Sequence, residues 1–135
     1  VGQRPLLVTG SLRTNLTLGL DTPPNDDALW SALDEVGLGD DLRALAGGLD
    51  APLGDDGFGL SAGQRARLAL ARAILSEAAL VLLDEPTAHL DERSAGLAHN
   101  AIQRLARTRS VVVVTHRPEL VELADAEVRL GGDRG

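Results

Sequence analysis

Residues 80–91 read LVLLDEPTAHLD. An apolar run over residues 80–83 passes directly into two adjacent acids, Asp84 and Glu85, then into a proline, a threonine, a histidine and a further acid, Asp91. An unbroken apolar run of this length is the pattern of a strand in a parallel sheet covered on both faces. Ligands of such sheets bind at the carboxyl ends of the strands. The paired acids therefore stand either at a ligand site or simply where a strand leaves the core.

Working outward, SVVVVTH at residues 110–116 repeats the pattern, a second buried strand running into Thr115 and His116. Between the two strands, residues 91–108 predict a helix capped by Asp91, with Leu97, Ala101, Ile102 and Leu105 inward. RPELVELA, with Pro118 in its first turn, predicts a short helix, and AEVRLGG, residues 126–132, a last strand. The second half thus alternates strand and helix, as an α/β parallel sheet does. Upstream, SAGQRARLALARAILSEA (residues 61–78) predicts a strong helix beginning at Ser61, with Leu68, Ala71, Arg72 and Leu75 along one stripe. Small residues at its start leave N–H groups open to an anion, although Ser61 and Gln64 equally form a capping box. Residues 41–60 are loop-rich, with a helical turn only in DLRALA. Asn25 caps a helix over residues 26–38 that Gly37 and Gly39 end, Ser11 caps a brief helix, and residues 4–10 form a first strand. Trp30 reads as core.

Composition narrows the classes. The chain has 135 residues, 44% of them hydrophobic, and two aromatics, Trp30 and Phe58. It carries a formal charge of −7, which argues against nucleic-acid binding. Without cysteine it has neither disulfides nor thiolate metal sites. No apolar run approaches a bilayer span and no signal peptide precedes the first strand. The absence of methionine leads us to expect that Val1 lies inside a longer product or follows processing. All thirteen basic residues are arginine, so no phosphate loop of the form GxxxxGK[ST] is present.

Four segments carry a family resemblance. LSAGQRARLALARAIL resembles the LSGGQ signature of ABC ATPases, with Ala62 in place of the first glycine. LVLLDEPTAHLD resembles the Walker B strand and D-loop, SVVVVTHRPEL the switch strand with its histidine, and VGQRPLLVTGSLRTNLTLG the Q-loop in the form typical of exporters. The resemblance implies an α/β fold: a partial P-loop NTPase core with a parallel sheet and an inserted α-helical subdomain. On that reading residues 1–135 are a fragment of one ABC ATPase domain, residues 11–76 being the helical subdomain and residues 1–10 and 77–135 the core.

For matched positions the resemblance implies ATP and Mg²⁺ as cofactors. Asp84 would hold the metal, Glu85 would act as general base, His116 would contact the γ-phosphate, and Gln3 would reach metal and water. Ser61, Ala62, Gly63 and Gln64 would face a nucleotide held by a second ATPase domain, identical or different, and Asp91 would cross that interface. The paired acids are then tolerated because a dication shares their site; without it one carboxyl should tend to hold its proton. A transmembrane domain would be the other partner, at the cytoplasmic face of the membrane.

Two departures stand out. Pro52 lies where exporters commonly carry an acid, and the Walker A part with its lysine is absent, so the chain alone should not hydrolyse ATP. TAHLD narrows the resemblance towards exporters of cysteine or glutathione that serve cytochrome bd assembly. Alternatives are a soluble ABC ATPase acting on DNA or the ribosome, and a non-catalytic pairing module. His89 reads as an interface position, His99 as solvated, and Arg72 as paired to a carboxylate or to backbone carbonyls.

Overall fold

A computed structural model describes residues 10–53 and 59–129. The elements in order are β1 (Gly10–Ser11), α1 (Leu12–Thr17), α2 (Asp26–Glu35), α3 (Gly39–Arg43), a 3-10 turn (Gly48–Asp50), β2 (Pro52–Leu53), α4 (Ala62–Leu75), β3 (Leu80–Asp84), α5 (Glu92–Thr108), β4 (Ser110–Val114) and α6 (Pro118–Val121). β3 and β4 pair in parallel, Leu80 opposite Ser110 through to Asp84 opposite Val114. The α5 crossover supplies the length that a parallel connection requires. β1 and β2 form a separate antiparallel pair, Gly10 opposite Leu53.

Side-chain caps start α1, α2, α4 and α5, each satisfying an N–H group that would otherwise lack a partner. The Ser11 hydroxyl accepts from Thr14 N–H at 3.0 Å, the Asn25 amide oxygen from Ala28 N–H at 2.9 Å, and the Asp91 carboxylate from Ser94 N–H at 2.7 Å. Gly37, at φ +78°, ends α2. Leu38 N–H reaches Leu33 O at 2.8 Å and Gly37 N–H reaches Asp34 O at 3.0 Å, a Schellman closure that puts a left-handed residue at Gly37. Gly39, expected to end the same helix, instead opens α3. A Cβ there would fall 1.6 Å from an oxygen of Asp34, which pairs with Arg43 across it.

One apolar cluster runs from Leu12 and Leu16 through Leu29, Leu33 and Leu68 to Leu83, Ala101 and Leu120. Two polar struts join its parts. Arg104 pairs with Glu35 at 3.1 Å, linking α5 to α2. Arg109 donates to Ala73 O at 2.6 Å and Ile74 O at 3.0 Å, holding the carbonyls at the end of α4. Trp30 packs at the edge of the cluster, with the Arg43 guanidinium 4.6 Å above its ring.

Several expectations are corrected. Among the described residues the sheet is covered on one face only: Val81 and Leu83 are 6% and 1% accessible, whereas Leu80 and Leu82 are 59% and 54%. Val112 and Val114 are exposed on the same bare side. All described helices that pack on the pair lie beneath Val81 and Leu83, so strand residues of like hydrophobicity fare oppositely by parity alone. Residues 126–129 form no strand and Val128 is exposed; residues 130–132 of the expected strand, and residues 4–9 of the first, lie outside the described residues. The β1–β2 pair was not expected. His99 is half-buried, and its Nε2 is enclosed without a hydrogen-bond partner among the described residues. Burial draws the Arg72 guanidinium below its ordinary value. No described helix is long and apolar enough to cross a membrane.

Candidate functional site

Because Asp84 lies opposite Val114, the residues that follow each strand emerge side by side. The β-ladder is extended by one bond, Glu85 N–H to Val114 O at 2.7 Å. Glu85 then turns with φ +46°, the one described non-glycine residue at positive φ. A left-handed residue with a side chain is strained and persists where its surroundings hold it. Here the hold is visible. Glu85 Oε1 accepts from His116 N–H at 3.1 Å and lies 2.6 Å from His116 Nδ1, and Oε2 accepts from the Thr115 hydroxyl at 3.2 Å.

The carboxylate is nearly enclosed while the His116 ring is exposed. Burial by itself would raise the Glu85 carboxyl, but the hydrogen bonds from His116 and Thr115 outweigh it and hold the group below its ordinary value. Within the acid pair, the Glu85 carboxylate is thus met by His116 and Thr115. Asp84, half-buried at the end of β3, receives no side-chain hydrogen bond from the described residues.

No three metal-ligating side chains cluster among the described residues. A lone unbonded carboxylate beside an ordered one still fits Mg²⁺, which keeps waters and takes one or two carboxylates plus substrate phosphates. Gln3, the further expected contact, lies outside the described residues.

The loop between Glu85 and α5 links the strand ends to the start of α4. Arg117 donates to Ala88 O at 3.2 Å, and its N–H donates to Thr115 Oγ1 at 3.0 Å. Its Nε, like the Thr87 hydroxyl, is buried without a hydrogen-bond partner among the described residues. Further along, a Cβ on Gly63 would stand 2.9 Å from His89 O and 3.5 Å from Leu90 Cδ2. The start of α4 thus lies directly on the loop that leads to Asp91, and only a glycine fits without displacement.

Ser61 and Gln64 close the capping box, Gln64 N–H to Ser61 Oγ at 3.0 Å and Ser61 N–H to Gln64 Oε1 at 2.9 Å. Ala62 and Gly63 occupy the first turn. Asp91 is exposed, yet its carboxylate is engaged as the cap of α5, and hydrogen bonding from Ser94 holds it below its ordinary value. His89 is exposed.

The structure therefore brings Asp84, Glu85 and His116 to one edge and sets Gly63, in the turn that Ser61, Ala62 and Gln64 share, against the loop that leads to Asp91. Sequence reasoning placed Thr115 at a strand end but gave it no task, and it passed over Arg117. The polar pair flanking His116 was the available signal.

An acid pair closes one strand of a parallel pair, a histidine closes the next, and a capped helix lies against the loop between them. A family model described as ABC transporter matches residues 2–88. The chain belongs to the ABC transporter family, and with it to the P-loop NTPase fold that binds ATP. Over 125 residues, 93% of the chain, it is 40% identical to the glutathione/L-cysteine transport system ATP-binding/permease protein CydD of Haemophilus influenzae, covering 21% of that protein. It is 36% identical over 134 residues to the ATP-dependent lipid A-core flippase of Alkalilimnicola ehrlichii, 99% of the chain against 23% of the flippase. A multidrug resistance ABC transporter ATP-binding and permease protein of Lactococcus lactis is 35% identical over 125 residues, 93% of the chain and 21% of its own length. The chain thus spans about a fifth of the length of these relatives.

Proposed function

We propose that this chain is the signature-bearing part of the ATP-hydrolysing domain of an ABC exporter, which couples hydrolysis to the movement of a solute across a membrane. The observation that carries the reading is the Glu85 carboxylate, charged, nearly enclosed and tied to His116 at the carboxyl edge of a parallel strand pair.

In the proposed reaction Glu85 orients a water and accepts its proton as the water oxygen attacks the γ-phosphorus of ATP and ADP departs. A carboxylate held below its ordinary value is in the basic form at neutral pH, as this role needs. His116, exposed beside it, contacts the γ-phosphate. Asp84 would hold Mg²⁺, and Gln3 would be a further ligand; the metal, when bound, would neutralise developing phosphate charge. Ser61, Ala62, Gly63, Gln64 and Asp91 face the nucleotide of a second ATPase domain, identical or different.

Residues 11–76 form the helical subdomain and residues 1–10 and 77–135 the core, working beside a transmembrane domain at the cytoplasmic face. Identities of 40, 36 and 35% differ too little to choose among the cargoes in the relatives' names. The cargo therefore enters this proposal only as an exported solute.

The test is hydrolysis of Mg·ATP by the chain alone and mixed with a portion of the domain that carries the phosphate loop. Expected are inactivity alone, recovery on mixing, and loss again in Glu85→Gln. Vigorous turnover by the chain alone would overturn the reading. The bare face of β3 and β4 favours a second reading, a pairing module without chemistry; it predicts a stable complex on mixing with no turnover.

A further inference from the structure

We propose that Thr115 is a positioning residue that fixes the rotation of the Glu85 carboxylate, its hydroxyl being aimed by the backbone N–H of Arg117. The inference rests on the reading of Glu85 as the base and adds a residue to which neither the sequence motifs nor the family comparison gives a role.

Donors and acceptors fix the geometry around Thr115. A threonine hydroxyl has one proton to give and lone pairs to receive. The Arg117 N–H occupies a lone pair of Thr115 Oγ1 at 3.0 Å, so the hydroxyl proton is directed elsewhere, and Glu85 Oε2 lies 3.2 Å away. Both contacts of His116 fall on the other oxygen, Oε1. Two bonds to a single oxygen leave a carboxylate free to pivot about it; a third bond on Oε2 removes that freedom.

The backbone at Glu85 adds a reason for the constraint. At φ +46° the side chain leaves from a strained position, and small changes at its root swing the carboxylate widely. Thr115 is itself placed by the strand register, one residue beyond Val114, whose carbonyl holds Glu85 N–H. The dipeptide Thr115–His116 thus supplies every hydrogen bond that the Glu85 carboxylate receives from the described residues, and Arg117 acts on it only through Thr115.

Thr115→Val keeps the branched shape and removes only the proton and lone pairs; Thr115→Ser keeps the hydroxyl and removes only the methyl. In amide spectra of the isotopically labelled chain, Val is expected to shift the His116 and Arg117 amide signals and to speed their hydrogen exchange, with Ser near wild type. In the mixture with the phosphate-loop portion, Val is expected to lower kcat about tenfold with KM for ATP within about twofold, the scale of one hydrogen bond's net worth. Ser should restore kcat to within about twofold.

A His116 amide unmoved by Val, or a serine variant as impaired as valine, overturns the proposal, because orientation would then not depend on the hydroxyl. A change in KM alone overturns it as well. If Val does not fold, Thr115→Ala reads the same loss without the branched methyl. A wild-type mixture without turnover would sink the ATPase reading instead, and the amide spectra of the chain alone would still decide whether Thr115 sets the carboxylate.

Discussion

Replacing Gly63 by alanine sets two effects of known sign against each other. Alanine is favoured over glycine inside a helix by about 0.5–1 kcal/mol. Against that, the added Cβ would sit 2.9 Å from His89 O and 3.5 Å from Leu90 Cδ2. The obstacle is backbone, fixed between the Leu90 N–H to Thr87 O turn at 3.2 Å and the Asp91 cap, so it cannot swing away as a side-chain tip would. Overpacking of this kind costs about 1–3 kcal/mol. The clash should win, leaving Gly63→Ala about 1 kcal/mol less stable and lowering Tm by about 3–5 °C for a chain of this length. Gly96 supplies the control: it lies within α5, exposed, with nothing within 4 Å of a Cβ. Gly96→Ala should therefore gain about 0.5–1 kcal/mol from helix propensity alone. Urea unfolding followed by circular dichroism reads both, with equal slopes required for the comparison. If both alanines raise the midpoint alike, the contact between the start of α4 and the loop before Asp91 is refuted.

Arg109→Ala should cost about 1–2 kcal/mol in the same urea experiment, since it strips a charged donor from two carbonyls at the end of α4. Arg109→Lys should recover only part of the loss, a point charge being unable to span both oxygens. Acid titration of stability gives another check. The Glu85 carboxyl is depressed in the folded chain, so its contribution is complete above its ordinary value and is lost as pH falls through the lower folded one. The stability gap between wild type and Glu85→Gln should thus narrow steadily as pH drops from about 6 to about 3; a gap constant across that range would remove the His116 and Thr115 bonds from the account.

The four side-chain-capped helix starts were legible because each is a local event. Ser11, Asn25, Ser61 and Asp91 each bond an N–H three residues ahead, and no distant part of the chain has a say. β3 and β4 were legible as strands but their environment was not. Leu80 and Leu83 are the same residue type in the same run, and only what packs above or below makes one exposed and the other buried. The β1–β2 pair joins segments some forty residues apart through two residues each, too short for any periodicity.

In the site, spacing alone put acids and histidine at adjacent strand ends. The grip of Thr115 on Glu85 and the reach of Arg117 to Ala88 depend on side-chain rotation, which no spacing encodes. Gly39 was misassigned because glycine marks both helix ends and close approaches, and here the approach of Asp34 decides.

Ser61 and Asp91 solve the same local problem with different residues. Each receives the N–H of the residue three places on, at 3.0 and 2.7 Å. Serine does so with a lone pair and keeps its hydrogen, which can still be offered outward from the helix start. Aspartate does so with a full negative charge and has no hydrogen to offer. For holding a helix the two are interchangeable, but towards an approaching polyanion they are opposites: one end greets it with a donor, the other repels it. Exchanging Ser61 for aspartate would leave α4 capped and turn its surroundings from receptive to hostile, a change that helix content at neutral pH would not register.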